Sequence, residues 1–187
     1  MKQNKERPDG AHLEVNLKAI TGAPSVKERA LEDILTSTCR EMVLLEQYPH
    51  SLISVNLQVE VDNGSVSLLS TPCNASCMSL LDCGVPMKGM FSCVTCAWSE
   101  EGQLVIDPTS DQESSAKGII HVAINCHKQT ILTVHTLGNF TIDQFQQSIS
   151  MSKSVSQSLL DFYRECNSKK LSKYKTVLQD VKMANKV

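Results

Sequence analysis

The sequence predicts an α/β (α+β) fold, because segments with strand periodicity alternate along the chain with segments of helical periodicity. The strongest strand signal lies at 52–61, where apolar residues occupy every second position. The clearest helical segments are 31–45 and 142–163, where apolar residues recur every three or four positions. Two apolar runs, 118–126 and 129–137, predict a hairpin. A chain of 187 residues is long enough to bury a substantial core.

The first predicted elements are a strand and a helix. Residues 12–18 alternate between apolar and polar and predict the strand. Ser25, with Glu28 three residues later, is typical of a capping box and predicts the start of the helix. The helix should end before Pro49, because a residue that precedes proline is disfavoured in the α region.

A turn and a second helix follow the long strand. The sequence Asp62-Asn63-Gly64 predicts the turn. Thr71 and Pro72 predict an N-cap followed by proline at the first helical position, and Gly84 predicts the C-terminal cap. This helix carries so few charges that we expect it to be buried on most sides.

The second half begins with predicted strands at 88–98 and 103–107, followed by an acidic loop. The hairpin is expected to turn at His127-Lys128, and a long helix should begin near Thr141. The predicted organisation is a disordered lead at 1–10, one domain at 11–166 and a C-terminal helical tail at 167–187.

Composition and charge exclude several classes of protein. Apolar residues make up 41% of the chain and charged residues 20%, which is ordinary for a globular domain. The net charge of −2 is not that of an independent nucleic-acid binder, which usually has a basic excess. The N-terminus has no signal-peptide core and no apolar run spans a bilayer, so we expect an intracellular protein with no membrane contact. Its eight cysteines are then expected to be reduced thiols.

The cysteines and histidines give only weak signals for chemistry. Cys93 and Cys96 are three residues apart in a predicted strand, so they should point to opposite faces and not share a metal. Cys73 and Cys77 share a helix face, where core packing is the better interpretation. A two-residue turn would place His121 and His135 on opposite faces, which disfavours a catalytic pair.

Four lysines near the C-terminus are candidates for contact with RNA phosphates. A run of charge on a terminal helix is more often a solvated face, and aromatic residues are too few, at 4%, to favour independent base stacking. The candidate residues are Lys169, Lys170, Lys173 and Lys175.

The acidic loop, GQLVIDPTSDQE, places Asp107, Asp111 and Glu113 directly after a short apolar strand. Together with YPHSLISVNLQVEVDNGS, NASCMSLLDCGVPM and SLLDFYREC, in this order, it resembles the RNase PH family and in particular the ring subunits of the eukaryotic RNA exosome. The resemblance extends from about residue 13 to residue 166.

This resemblance implies mixed β-sheets packed against helices, and a hexameric ring around an RNA channel. Active relatives shorten RNA from the 3′ end by phosphorolysis. That reaction needs basic groups that hold phosphate and a carboxylate that protonates the leaving oxygen or holds a metal ion. The resemblance further implies that relatives begin with additional strands, so this chain is expected to be an N-terminally shortened form with an uncovered sheet edge.

The positions that correspond to the phosphate site and the carboxylate pair of active relatives are mostly replaced. The phosphate site matches Ser65 and Val66, and the arginines in the preceding helix match Asp33 and Ser37. The paired aspartates match Glu113 and Ile119, so one carboxylate is retained and the other is replaced. Asp107, Asp111 and Glu113 are therefore interpreted as the remnant of a phosphorolytic site, with no cofactor and no catalytic residue expected.

The resemblance thus implies a non-catalytic structural subunit of the exosome ring that supports 3′-to-5′ RNA processing and degradation. Its expected partners are other RNase PH-like ring subunits, the cap subunits and RNA through the assembled complex. Nucleus, nucleolus and cytoplasm are the expected locations. Two alternatives stay open: a residual metal- or phosphate-dependent nuclease, in which Asp107 and Glu113 bind a divalent ion, and a truncated variant that cannot assemble.

Overall fold

Two β-sheets and four helices form the fold in the computed structural model, which describes residues 8–18, 20, 26–61 and 68–184, with side chains to residue 175. The sheets pack against the helices, which confirms the predicted fold class. Most of the predicted lead, 1–10, lies outside the described residues, and its last three residues form a turn in which Gly10 is buried. The elements are β1 (His12–Lys18), α1 (Val26–Met42), β2 (Leu52–Gln58), α2 (Ser70–Asp82), β3 (Phe91–Trp98), β4 (Leu104–Ile106), α3 (Ser110–Ser114), β5 (Gly118–Asn125), β6 (Ile131–Gly138) and α4 (Ile142–Ala184).

The first sheet contains β1 and β2, which run parallel from the pair His12 and Leu52 to the pair Lys18 and Gln58. The predicted bounds of β1 are confirmed. The prediction that β2 continues to Val61 is wrong, because the strand ends where its pairing with β1 ends. The turn predicted at 62–64 lies outside the described residues.

Helix α1 lies on the first sheet and also contacts β6. Its buried residues recur at helical spacing, so one stripe of the helix faces the core. The helix ends well before Pro49, as predicted, and Leu45 belongs to a separate 3₁₀ turn at Leu45–Gln47. Ser25, the predicted N-cap, lies outside the described residues. The buried side chains of α1 are Leu35, Thr38, Cys39 and Met42.

Helix α2 corrects two predictions. It begins at Ser70, one residue before the predicted N-cap Thr71, and Leu69 occupies the N-cap without a side-chain hydrogen bond. Only one side of the helix is buried, because its small uncharged residues tolerate both core and solvent. The predicted end is confirmed: Gly84 has φ of +69°, and the N–H groups of Gly84 and Val85 bond to the carbonyls of Leu81 and Leu80, which is a Schellman cap.

The second sheet is antiparallel, with the strand order β4, β3, β5, β6. Every residue of β3 and β5 is buried, because helices cover both faces of these central strands. The pairing of β5 with β6 shifts between Ala123 and Ile124, so that Leu132 is an extra residue on β6. The predicted hairpin exists, but this bulge moves its register by one residue beyond the turn.

Helix α4 covers the other face of β3 and β5. Trp98 donates its indole N–H to Ser148 Oγ at 2.9 Å, and Cys96 Sγ lies 3.5 Å from Ser152 Oγ. The helix is 43 residues long and passes residue 167 without a break, so the predicted tail is a continuation of α4. No helix in the described ranges is both long and apolar enough to span a bilayer.

Six of the eight cysteines are buried, and four of these belong to the core that α1, α2 and β3 enclose. Cys93 faces α2, whereas Cys96 faces α4, which confirms that the two lie on opposite faces. Burial raises the pKa of Cys39 and that of Cys77 to about 12, so both are neutral thiols at physiological pH. The six buried residues are Cys39, Cys73, Cys77, Cys93, Cys96 and Cys126.

Candidate functional site

A groove of about 440 Å³ lies where α2, the edge of β3 and α4 meet. Its walls are mainly apolar, and Phe162, which is 56% exposed, stands at its opening. Asp107 is the one charged carboxylate among the described lining residues, and no lysine or arginine lines this part of the chain's surface. The lining residues with a hydroxyl, amide or carboxylate group are Ser70, Thr71, Asn74, Thr95, Asp107 and Tyr163.

The floor of the groove is the half of β3 that β4 leaves unpaired. Strand β4 pairs only with residues 96–98, so the backbone edge at Cys93 needs another partner. Asn74 supplies it: its Oδ1 accepts the Cys93 N–H at 2.7 Å, and its Nδ2 donates to the Cys93 carbonyl at 3.0 Å. A side chain of α2 thus acts as one residue of an additional strand.

Asp107 is held at the rim by its backbone. Its N–H donates to the Thr95 carbonyl at 2.9 Å, and its φ of +53° lies in the left-handed region that non-glycine residues seldom adopt. The carboxylate is exposed. The acidic loop therefore leaves the sheet through a strained residue, and such strain is frequent at functional sites.

The three acidic residues do not form one site. Asp111 is exposed on α3, whereas Glu113, two residues later on the same short helix, is buried to 6% exposure. Residues two apart on a helix point to different sides, and Asp107 lies outside the helix. Within the described ranges, no group of three or more histidine, cysteine or acidic residues is arranged to hold a metal ion.

A row of three polar side chains, one each on β3, β5 and β6, extends from the groove across the second sheet. Thr95 Oγ1 lies 2.9 Å from His121 Nδ1, and the ring centroids of His121 and His135 are 5.8 Å apart. The prediction that these histidines occupy opposite faces is wrong, because the bulge in β6 makes them direct cross-strand partners. Burial, followed by the nearby His135, lowers the pKa of His121 to about 4, so its ring is neutral near pH 7.

The positions expected to correspond to the phosphate site have no cation in the described structure. Asp33 and Ser37 are exposed on α1 and do not line the groove. Ile119, at the position of the second carboxylate, is 4% exposed in the middle of the second sheet. Ser65 and Val66 lie outside the described residues.

Two of the four candidate RNA-contacting lysines are in ion pairs. Lys169 Nζ lies 2.6 Å from Glu165 Oε1, and Lys170 pairs with Asp82 of α2. Lys173 and Lys175 are exposed, and neither forms an ion pair in the described part of the chain. Among the four candidates, Lys173 and Lys175 are therefore the two without an ion-pair partner in the described structure.

Both halves of the chain match family models. Residues 2–86 match domain 1 of the 3′ exoribonuclease family, and residues 89–155 match domain 2 of the same family. The two models together cover most of the chain and meet between α2 and β3.

Individual relatives carry exosome names. The chain is 27% identical over 173 residues to the Caenorhabditis elegans protein "Exosome complex component RRP46 homolog", covering 90% of this chain and 78% of that protein. It is 32% identical over 117 residues to "Exosome complex exonuclease RRP46 homolog" of Oryza sativa subsp. japonica, covering 63% of this chain and 48% of that protein. The crystal structure of rice Rrp46 superposes with a TM-score of 0.78 at 30% identity, covering 85% of this chain and 74% of that one.

Proposed function

The chain belongs to the 3′ exoribonuclease family of RNase PH type, and on this premise we propose that it is a structural subunit of the RNA exosome ring. The names of its relatives support this proposal, since the C. elegans relative is named a component of the exosome complex. The match extends across both family domains, so the chain contains parts of both halves of an RNase PH-like subunit.

The chemistry of the groove supports a subunit that does not catalyse phosphorolysis. The observation that carries this proposal is the charge of the lining: Asp107 is there, and no lysine or arginine is present among the described lining residues. An inorganic phosphate would meet a carboxylate without a bidentate cation to hold it. The position of the second carboxylate is Ile119, which cannot stabilise charge or transfer a proton.

A residual nuclease is the second candidate, and two observations favour it. The rice relative is named an exonuclease, and Asp107 lies at the rim of a groove in a strained backbone conformation. In this reading Asp107 and Glu113 would hold a divalent ion, although Glu113 is buried away from the solvent. Any such ion would require α3 to move.

Two preparations, the tagged chain from cells and the recombinant chain alone, test both candidates. The tagged 187-residue chain is purified from cells, the bound proteins are identified, and the eluate is incubated with RNA in the presence of phosphate or Mg²⁺. Recovery of ring and cap subunits supports the structural role, whereas purification of the chain alone supports a truncated variant that cannot assemble. RNA shortening by the separate recombinant chain, lost in Asp107→Asn but kept in the control Asp111→Asn, would support the nuclease instead.

Direct RNA contact is proposed for Lys173 and Lys175 rather than for all four lysines. Lys169 and Lys170 already have carboxylate partners, so their charge is partly compensated. Crosslinking of the assembled ring to RNA should decrease in Lys173→Glu and Lys175→Glu, with Lys169→Glu as the control. The proposed locations are nucleus, nucleolus and cytoplasm, which imaging of the tagged chain tests.

A further inference from the structure

Among the described residues, no strand pairs with the outer edge of β2. The bonds His12 N–H to Ser51 O (2.8 Å) and Val59 N–H to Lys18 O (2.9 Å) bracket the parallel ladder. In a parallel pair, alternate residues of each strand point their backbone groups toward the partner, so odd-numbered residues of β2 face β1. The N–H and C=O groups of Ser54 and Asn56 therefore point outward, and both residues are exposed.

Strand β2 lacks charge, proline and a bulge, three features by which proteins usually protect an edge. Its sequence, LISVNLQ, contains no charge and no proline, and its register with β1 is uninterrupted over seven residues. Exposed edges of this kind pair readily with other chains unless charge, proline or a bulge prevents it. On β1, by contrast, the outward-facing residues are buried, and Glu32 of α1 accepts the Leu17 N–H at 2.7 Å.

The edges of the second sheet are less available. Strand β4 has only three residues, and β6 contains a bulge. Thr133 of β6 is also hydrogen bonded to Thr38 of α1 at 2.8 Å, so the helix already covers part of this strand. In the described structure, the outer edge of β2 is longer than that of β4, and it is more regular and more open than that of β6.

The side chains beside this edge define the chemistry of a complementary strand. On one face, Asn16 Nδ2 donates to Asn56 Oδ1 at 3.0 Å and to Ser54 Oγ at 3.3 Å. On the other face, Ile53 and Leu57 are half-buried against the core and remain open on their outer side. A strand that alternates polar and apolar residues would extend the polar row on the first face and cover both apolar side chains on the second.

We propose that the open edge of β2 binds an extended segment of a neighbouring RNase PH-like ring subunit, hydrogen bonded to the backbone of Ser54 and Asn56. This inference rests on the proposed function, because a ring subunit must meet a different chain on each side. The segment is uncharged and alternates apolar and polar residues, since LISVNLQ offers no charge to pair. The sheet of β1 and β2 thereby continues into the neighbour.

The test separates the backbone from the side chain of one residue. Ser54→Pro removes the outward N–H without removing a bond to β1, and proline is tolerated at such edge positions. Ser54→Ala is the matched control, because it removes the same hydroxyl and keeps the N–H. We expect Ser54→Ala to recover ring subunits as well as the unmodified chain does, and Ser54→Pro to recover at least about tenfold less.

Amide hydrogen exchange supplies a second measurement that needs no substitution. In the complex, exchange at Ser54 and Asn56 should be at least about tenfold slower than in the free chain. Circular dichroism of Ser54→Pro checks its fold, and the exchange data decide the question if that variant does not fold.

Each outcome has a distinct meaning. If the unmodified chain recovers ring subunits but Ser54→Pro recovers them equally, or the two amides exchange equally fast in both states, the edge proposal is overturned and the proposed function stands. If the unmodified chain recovers no ring subunit, both fail. If the free chain is a dimer with these amides already protected, the occupant is a second copy and the proposed neighbour is overturned.

Discussion

Asn74 offers a direct test of how the fold closes the edge of β3. The Asn74→Ala variant removes both hydrogen bonds to the Cys93 backbone, of 2.7 and 3.0 Å. Cys93 is 1% exposed, so its N–H and C=O lose their partners within the protein interior. An unsatisfied buried backbone group costs about 1–3 kcal/mol, and water can enter from the groove, so we expect a loss of about 2–4 kcal/mol in the free energy of unfolding.

Denaturant unfolding of the whole chain, followed by circular dichroism, measures this loss. Asn74→Asp keeps the acceptor for the Cys93 N–H but has no donor for the carbonyl, so its stability should fall between those of the unmodified chain and Asn74→Ala. Ser79→Ala, at an exposed position of the same helix, is the control and should change the free energy by less than about 0.5 kcal/mol. An Asn74→Ala variant as stable as this control would refute the assignment of Asn74 as the partner of β3.

Three other predictions concern the second sheet. The pKa of His121 is lowered to about 4 in the fold, so the unfolded chain binds more protons than the folded chain between pH 6.5 and 4. The contribution of His121 to the free energy of unfolding is therefore full above pH 6.5 and declines as the pH falls through this range. The variant His121→Gln should reduce this decline by up to about 1.4 kcal/mol per pH unit. Gly138→Ala would place a methyl group against the Lys117 carbonyl at a φ of +81° and should lower the free energy of unfolding by more than about 3 kcal/mol. Gly102→Ala is the control, because its φ is +80° but its surroundings are open, and it should cost only about 1 kcal/mol. Equal losses of stability in thermal unfolding would contradict the predicted collision. Trp98→Phe removes the hydrogen bond from the indole N–H to a buried serine hydroxyl and should destabilise the chain by about 1–2 kcal/mol. A chemical denaturation midpoint equal to that of the unmodified chain would argue against this bond.

Hydrophobic periodicity predicted the elements of this fold better than their contacts. The strand 12–18 was predicted with its observed bounds, because its buried face alternates without interruption. The end of α2 was likewise predictable, since glycine is favoured where φ is positive. The start of α2 was not predictable from the sequence. Leu69 occupies the N-cap and makes no side-chain hydrogen bond, so no capping pattern marks this position.

The arrangement of the candidate site depends on features that leave little trace in a sequence. One additional residue in β6 turns His135 toward His121, and a bulge of this kind has no signature in an alternating apolar run. The role of Asn74 depends on β4 ending after three residues, which is a property of the sheet rather than of the helix that carries the side chain. The acidic residues were recognisable, whereas their separation into exposed and buried positions required the geometry of α3.

The buried cysteines allow unfolding of this protein to be measured by chemical modification. Cys83 is exposed and can react with an alkylating reagent in the native state, whereas six cysteines distributed over α1, α2, β3 and the end of β5 are shielded together. An alkylating reagent can reach the six buried cysteines only when helices and sheets separate. The number of modified sulfurs per molecule therefore distinguishes a reaction at the surface from loss of the fold. Mass spectrometry of labelled chains taken from a cell would therefore report what fraction was folded there, with or without its neighbours.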